Sequence, residues 1–199
     1  MPSRPVRIVA DFVYHVTNRS AAGVTLFDCR AAYRAFVDLI AETQVVRPTR
    51  LLAYCVMPNH WHFVLWPQSD DAVERFVGWL SLTHVKRFHR WRGTSGPVYP
   101  ERYEAVPVET GQSLFRVIRY VERNPCAAGL TPTPGVWQWS SAASGSRIRL
   151  AEWPAPRPPD WRDYVEAAIE TAELEDIRRH LKGEPLRRLR RRKSDGFDW

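Results

Sequence analysis

Residues 51–66 hold two strand-like runs with only Pro58-Asn59 between them. Leu51 to Met57 is β-prone, His60 to Trp66 alternates, and Pro-Asn is turn chemistry. The rest of the chain has to be arranged around that pair. Upstream, Phe12-Val-Tyr-His-Val-Thr-Asn-Arg19 is rich in β-branched and aromatic residues and reads as a first strand. Asp28 is placed to cap a helix from about Arg30 to Gln44, whose apolar stripe is Tyr33, Phe36, Val37 and Ile40. A second helix fits Asp70 to about Trp91, with Val73, Phe76, Val77, Leu80 and Val85 on one face. After the Gly93–Pro97 breaker, Val98 to Val108 reads as a fourth strand or two short ones. Thr110 to about Asn124 is a helix with Thr110 or Ser113 as cap and Leu114, Val117, Ile118 and Val121 on its apolar side.

The order β-α-β-β-α-β followed by a helix predicts an α+β fold, a ferredoxin-like antiparallel sheet with helices packed on one face. Residues 1–130 would form this core and residues 131–199 a C-terminal extension. Prolines at 132, 134, 154, 156, 158 and 159 point to an extended, docked segment rather than a second core. A short helix from about Trp161 to Leu181 and a basic tail would complete it.

Charge narrows the partners. The net charge is +7, and Arg187, Arg188, Arg190, Arg191, Arg192 and Lys193 supply six of the positive charges within residues 187–193. Without them the body is close to neutral, so the tail is a separable electrostatic feature suited to a polyanion. No run approaches the roughly 18 apolar residues of a membrane helix, and Met1 to Ala10 lacks a secretory core. A cytoplasmic, nucleoid-associated protein with no membrane partner is expected. Cys29, Cys55 and Cys126 have no metal-site or disulfide spacing and read as small buried hydrophobes.

Two pairs of residues could carry chemistry. In His60-Trp61-His62 the imidazoles would share one strand face, about 6.6 Å apart along the backbone, with Trp61 turned into packing. Such a pair can share a divalent ion, though an H-x-H alone is equally compatible with a surface or core pair. Tyr120 and Asn124 lie one turn apart on one helical face. A phenol is a weak nucleophile at neutral pH unless a base or a polarised phosphate assists it. Ordinarily a tyrosine on an amphipathic helix belongs to its core or rim, and an Asn before Pro125 marks a helix end. Two imidazoles and an amide would suit Zn²⁺ as well as Mg²⁺ or Mn²⁺.

Taken together, three blocks resemble the REP-associated tyrosine transposases, members of the HUH single-strand DNA transposases that use one catalytic tyrosine. They are Tyr14-His-Val-Thr-Asn-Arg19, Ala53-Tyr-Cys-Val-Met-Pro-Asn-His-Trp-His-Phe-Val-Leu65 and Arg119-Tyr-Val-Glu-Arg-Asn-Pro-Cys-Ala-Ala-Gly-Leu130. The resemblance runs from about Val13 to Ser141, including Trp137-Gln-Trp-Ser-Ser141, and the blocks stand in family order. It implies that Tyr120 is the nucleophile, that His60, His62 and Asn124 bind Mg²⁺ or Mn²⁺, and that a 5′-phosphotyrosine and a free 3′-OH form. The implied substrates are single-stranded DNA and DNA hairpins at repetitive extragenic palindromes. It also implies a monomer, although relatives outside the subfamily exchange the tyrosine helix within dimers. Cys126-Ala-Ala128 and the long arginine run depart from the family pattern without touching these groups.

Candidate phosphate contacts are Arg19, Lys86, Arg90, Arg102, Arg116, Arg119 and Arg123. Any one could simply sit on a solvated face, but Arg116, Arg119 and Arg123 share a face of the tyrosine helix and are the strongest choice. Trp79, Trp91 and Tyr103 are candidates to stack unpaired bases. Three rival readings remain: a hairpin-binding protein without turnover, an RNA-binding module with aromatics on an open sheet face, and a zinc phosphodiesterase that uses water. For the tail, if all six cations engage single-stranded DNA, the log–log salt dependence of binding steepens by about 4 on their account. A truncation at Leu186 that leaves this slope unchanged would remove the tail from the DNA interface.

Overall fold

Strand connectivity decides where the helices go. The computed structural model describes residues 7–22, 24–99 and 102–182, and the basic run 187–193 lies outside them. In order, the elements are β1 (Val13–Arg19), α1 (Arg30–Val46), β2 (Arg50–Met57), β3 (His60–Trp66), α2 (Ala72–Arg92), β4 (Glu104–Val108) and α3 (Gln112–Ala127), then α4 (Trp161–Glu166) and α5 (Thr171–His180). The sheet order is β2-β3-β1-β4, with every neighbouring pair antiparallel. β1 and β2 therefore run parallel on either side of β3, as β3 and β4 do around β1. Right-handed crossovers through α1 and α2 put both helices on one face. There Phe36, Ile40, Val73, Phe76 and Leu80 pack with Tyr14, Val16, Tyr54, Val56, Trp61 and Phe63. This is the expected ferredoxin-like α+β fold.

The opposite face belongs to α3. Leu114, Val117, Ile118 and Val121 bury against Val13, Ala53, Cys55, Met57, Val64 and Val108. A register shift between Leu51 and Ala53 lets β2 serve both layers, Leu51 facing one core and Leu52 with Ala53 the other. Among the described residues helices cover both sheet faces, where an RNA-binding module would need an open aromatic platform.

An exposed β2 edge would invite pairing with other chains, and the proline-rich segment closes it. Val56 N–H donates to Trp139 O at 2.8 Å, and Ser141 N–H and Ala151 N–H donate to Tyr54 O and Leu51 O, each at 2.9 Å. The indoles of Trp137 and Trp153 donate to Val56 O and Leu52 O. Among the described residues no helix is long and apolar enough to cross a membrane.

Several local expectations change. Asp28 does not cap α1; Cys29 holds that position, exposed rather than buried, and the Asp28 carboxylate pairs with Arg92 at 2.8 Å. β4 is shorter than 98–108, and the 161–181 segment forms two helices. Gly111, at φ 81°, rather than Thr110 or Ser113, precedes α3. This helix also runs through Asn124-Pro125 to Ala127. Proline removes one N–H bond here, but its ring is buried, and the final turn is closed by Ala128 N–H to Asn124 O at 3.0 Å.

The largest correction concerns Arg116, Arg119 and Arg123. They share one face of α3 as their spacing requires, but the extension covers it. Arg116, 5% exposed, bonds Asp176 at 2.8 Å and Glu173 at 3.3 Å. Arg119 donates to Ala167 O at 2.9 Å and Ala168 O at 3.0 Å and lies 4.2 Å over the Tyr164 ring. Arg123 donates to Val165 O at 2.8 Å and Glu166 O at 2.7 Å. Carbonyls at a helix C-terminus have no intrahelical partner, and two arginines of α3 satisfy those of α4. In this fold the three cations are engaged in clamping α4 and α5 to α3. Arg116→Ala removes the shortest pairing of the buried Asp176 and Glu173 carboxylates, leaving them ion pairs to Arg179 at 3.1 Å and Arg119 at 3.5 Å. Urea unfolding should therefore show a loss of about 3 kcal/mol. A loss below about 1 kcal/mol would mean that the network behaves as a solvated surface pair.

Candidate active site

The Pro58-Asn59 turn is tied down before its histidines are placed. Leu26 and Phe27 N–H both donate to Pro58 O, at 2.9 and 3.0 Å, and Ser20 N–H donates to Asn59 O at 2.9 Å. β3 leaves this turn with His60 and His62 facing α3 and Trp61 fully buried on the other side. Their rings stand 4.9 Å apart at 88°. β1 runs alongside with Thr17 opposite His62 and Arg19 opposite His60. His15, one strand step further along the same face, brings Nε2 within 2.9 Å of His62 Nδ1. Residue periodicity pointed to His60 and His62 but missed His15. Alternation within β1 sets His15 on the face opposite Tyr14 and Val16, and only the pairing of β1 with β3 brings that face beside the histidines.

Burial keeps these rings neutral. His15 is lowered to about 3, by desolvation first and then by the charges of His180 and His60. His60 is lowered to about 4 by desolvation and Arg19, partly offset by hydrogen bonding to Asn124. His62 falls well below the ordinary value through desolvation, His15, His60 and Arg19. Neutral imidazoles retain the lone pair that a metal needs. The Nε2 of His62 is buried and meets no hydrogen-bond partner among the described residues, an orphan that a cation would satisfy.

α3 brings the remaining groups. The Tyr120 ring lies edge-on to His62, 6.0 Å between centroids, and 6.5 Å from His15. One turn on, Asn124 is hydrogen-bonded to His60, whose Nδ1 also meets Asn59 Oδ1 at 2.7 Å. The helix thus sets a phenol and an amide against two imidazoles on the strands. Among the described residues no three His, Cys, Asp or Glu side chains are grouped to hold a metal. Two imidazoles and one amide are a sparse donor set that leaves positions open for oxygens of a substrate.

The other cations are dispersed. Arg19 is exposed at the rim of this site, while Lys86 and Arg90 are exposed on α2. Arg102 pairs with Glu74 at 3.1 Å and borders a 350 Å³ groove with Tyr103, Tyr99 and Asn18. Trp79 and Tyr103 pack partly into the core, whereas Trp91 is 58% exposed. A cleft of 930 Å³ lies away from the histidines, by Arg50 and Trp66, at the far end of the β2–β3 pair. Also unforeseen are Glu122, raised by burial to about 7 with Ser141 donating to it, and His180, which brings α5 near His15.

These shifts set a pH dependence. A histidine with a folded pKa below its unfolded value takes up its proton on unfolding, so stability is full above about pH 6.5 and lost as pH falls. His15, His60, His62 and His84 all act this way, each by about 1.4 kcal/mol per pH unit. Glu122 opposes them: its contribution is full below about 4.5 and lost as pH rises through 7. One acid does not offset four histidines. Urea unfolding should therefore show stability dropping by several kcal/mol between pH 7 and pH 5; a flat profile would mean that the rings are solvated.

The chain is similar to a REP-associated tyrosine transposase solved bound to a REP hairpin, with 19% identity, a TM-score of 0.58, and 71% of this chain and 82% of that one covered. It is also similar to a candidate transposase from Deinococcus radiodurans R1, with 16% identity, a TM-score of 0.43, and 61% and 96% coverage. No curated protein shows significant sequence similarity to it. The family model described as transposase IS200 like matches residues 8–124, more than half of the chain and all of the residues that converge on His60, His62 and Tyr120 from β1, β3 and α3. The chain belongs to the IS200-like transposase family.

Proposed function

We propose that this chain is a metal-dependent single-strand DNA endonuclease and strand transferase that acts at REP-like DNA hairpins through a 5′-phosphotyrosine on Tyr120. The observation that carries this is the convergence within one chain of Tyr120, Asn124, His60 and the orphan Nε2 of His62. His60, His62 and Asn124 would hold Mg²⁺ or Mn²⁺. When bound, the ion polarises the scissile phosphate and neutralises charge that builds on its oxygens. Tyr120 is held by α3 beside these ligands, so it needs no large movement to reach a phosphate there. Its Oη forms a bond to phosphorus as the 3′-oxygen leaves. The phenol gives up a proton and the 3′-oxygen gains one, so a phosphoester replaces a phosphoester. Attack by a 3′-OH reverses the step and rejoins the strand with no external energy source.

Arg19 at the rim is the best-placed of the candidate phosphate contacts, with Lys86, Arg90 and Arg102 further out. The position of Tyr120 beside the histidines of its own chain supports attack in cis by a monomer. The main alternative is a protein of this fold that binds hairpins without cutting them.

Labelled single-stranded hairpin DNA with Mn²⁺ or Mg²⁺ should yield a protein–DNA adduct that resists denaturation. Tyr120→Phe should abolish it, and His62→Ala should weaken metal-dependent formation at least about 100-fold. Tight binding without an adduct would favour the binding protein, and cleavage that survives Tyr120→Phe would favour water as the nucleophile.

A further inference from the structure

The His15–His62 contact, 2.9 Å between Nε2 and Nδ1, holds one proton between two ring nitrogens. Two arrangements are available. If His15 donates, His62 carries its own proton on Nε2 and cannot ligate through that atom. It would also bury an N–H that has no acceptor among the described residues. If His62 donates from Nδ1, the Nε2 lone pair is free and becomes a ligand atom. His60 is settled in the same sense by a different partner, because Asn59 Oδ1, 2.7 Å from His60 Nδ1, can only accept. Both rings then carry a proton on Nδ1, and the unpartnered Nε2 of His62 is the one left open.

From this geometry we infer that His15 is a positioning residue: its Nε2 accepts the Nδ1 proton of His62, fixes that ring's tautomer and rotation, and leaves His62 Nε2 free for the metal. The inference rests on the reading of His60 and His62 as metal ligands. Backbone register makes the arrangement rigid. Thr17 pairs with His62 and His15 with Val64, so the two rings are diagonal neighbours across β1 and β3. Tyr14 and Val16 are locked into the opposite core, which leaves β1 no freedom to turn His15 away. A second partner behind a metal-bound imidazole orients the ring and raises its basicity, and losing one costs 10–100-fold in metal affinity.

The test combines imidazole ¹⁵N NMR on the metal-free full chain with Mn²⁺ titration of the unaltered protein and of His15→Phe, His15→Gln and His62→Ala. Glutamine sets a carbonyl oxygen where His15 has Nε2, whereas phenylalanine keeps a ring but offers no acceptor. His62 is expected as the Nδ1–H tautomer in the unaltered protein. Mn²⁺ affinity should fall about 10–100-fold in His15→Phe and largely return in His15→Gln. Finding His62 protonated on Nε2 in the unaltered protein overturns the inference without any variant, so a failure of His15→Phe to fold does not shelter it. Binding that depends on His62 but is unchanged in His15→Phe overturns the role of His15 alone. Binding absent from the unaltered protein, or unaffected by His62→Ala, overturns the metal reading and this inference with it.

Discussion

Three imidazoles, those of His15, His60 and His62, are held in a buried layer between a sheet and a helix. A polar ring so buried favours its neutral form and needs a hydrogen-bond partner within the protein. The β1–β3 register meets this demand by setting His15 against His62, and the β2–β3 turn meets it by setting Asn59 against His60. One nitrogen of each strand imidazole is spoken for by these bonds. The apolar packing of α3 buries the layer, and the hydrogen bonds make that burial tolerable. Neither would hold the site alone.

α3 is where those two requirements meet the chemistry. Its inner face supplies Leu114, Val117, Ile118 and Val121 to the core, and the same winding sets Tyr120 and Asn124 over the histidines. The passage of the helix through Pro125 matters here. A break before that proline would leave Asn124 at a frayed end. Instead it sits in a closed turn whose carbonyl is bonded to Ala128.

Much of this was legible in the sequence because much of it is local. A Pro-Asn turn between two β-prone runs specifies the β2–β3 pair, and a strand period of two puts His60 and His62 on one face without reference to any other segment. The proline-rich stretch was readable as docked rather than self-supporting for a similar reason. What escaped was relational. His15 acquires its role from β1 lying between β3 and β4, and no periodicity within residues 13–19 reveals that neighbour. Arg116, Arg119 and Arg123 share a helical face, as their spacing says, but spacing does not reveal what covers a face. Asp28 had the right chemistry for a cap and was taken instead by Arg92, more than sixty residues away.

The covered face of α3 bears on how a single chain could work. One side of the helix is buried in the apolar layer, and the other is gripped by α4 and α5 through Arg116, Arg119 and Arg123. Moving α3 onto a second copy would expose the first surface, and it would either strand buried charges in the second or carry the extension along. The extension, which the sequence presents as an appendage, therefore adds its own contacts to those that such an exchange would have to break or carry along. Under the proposed function, the engagement of the α3 arginines by the chain's own C-terminal helices favours attack in cis, and the proximity of Tyr120 to His62 is a property that a monomer can keep.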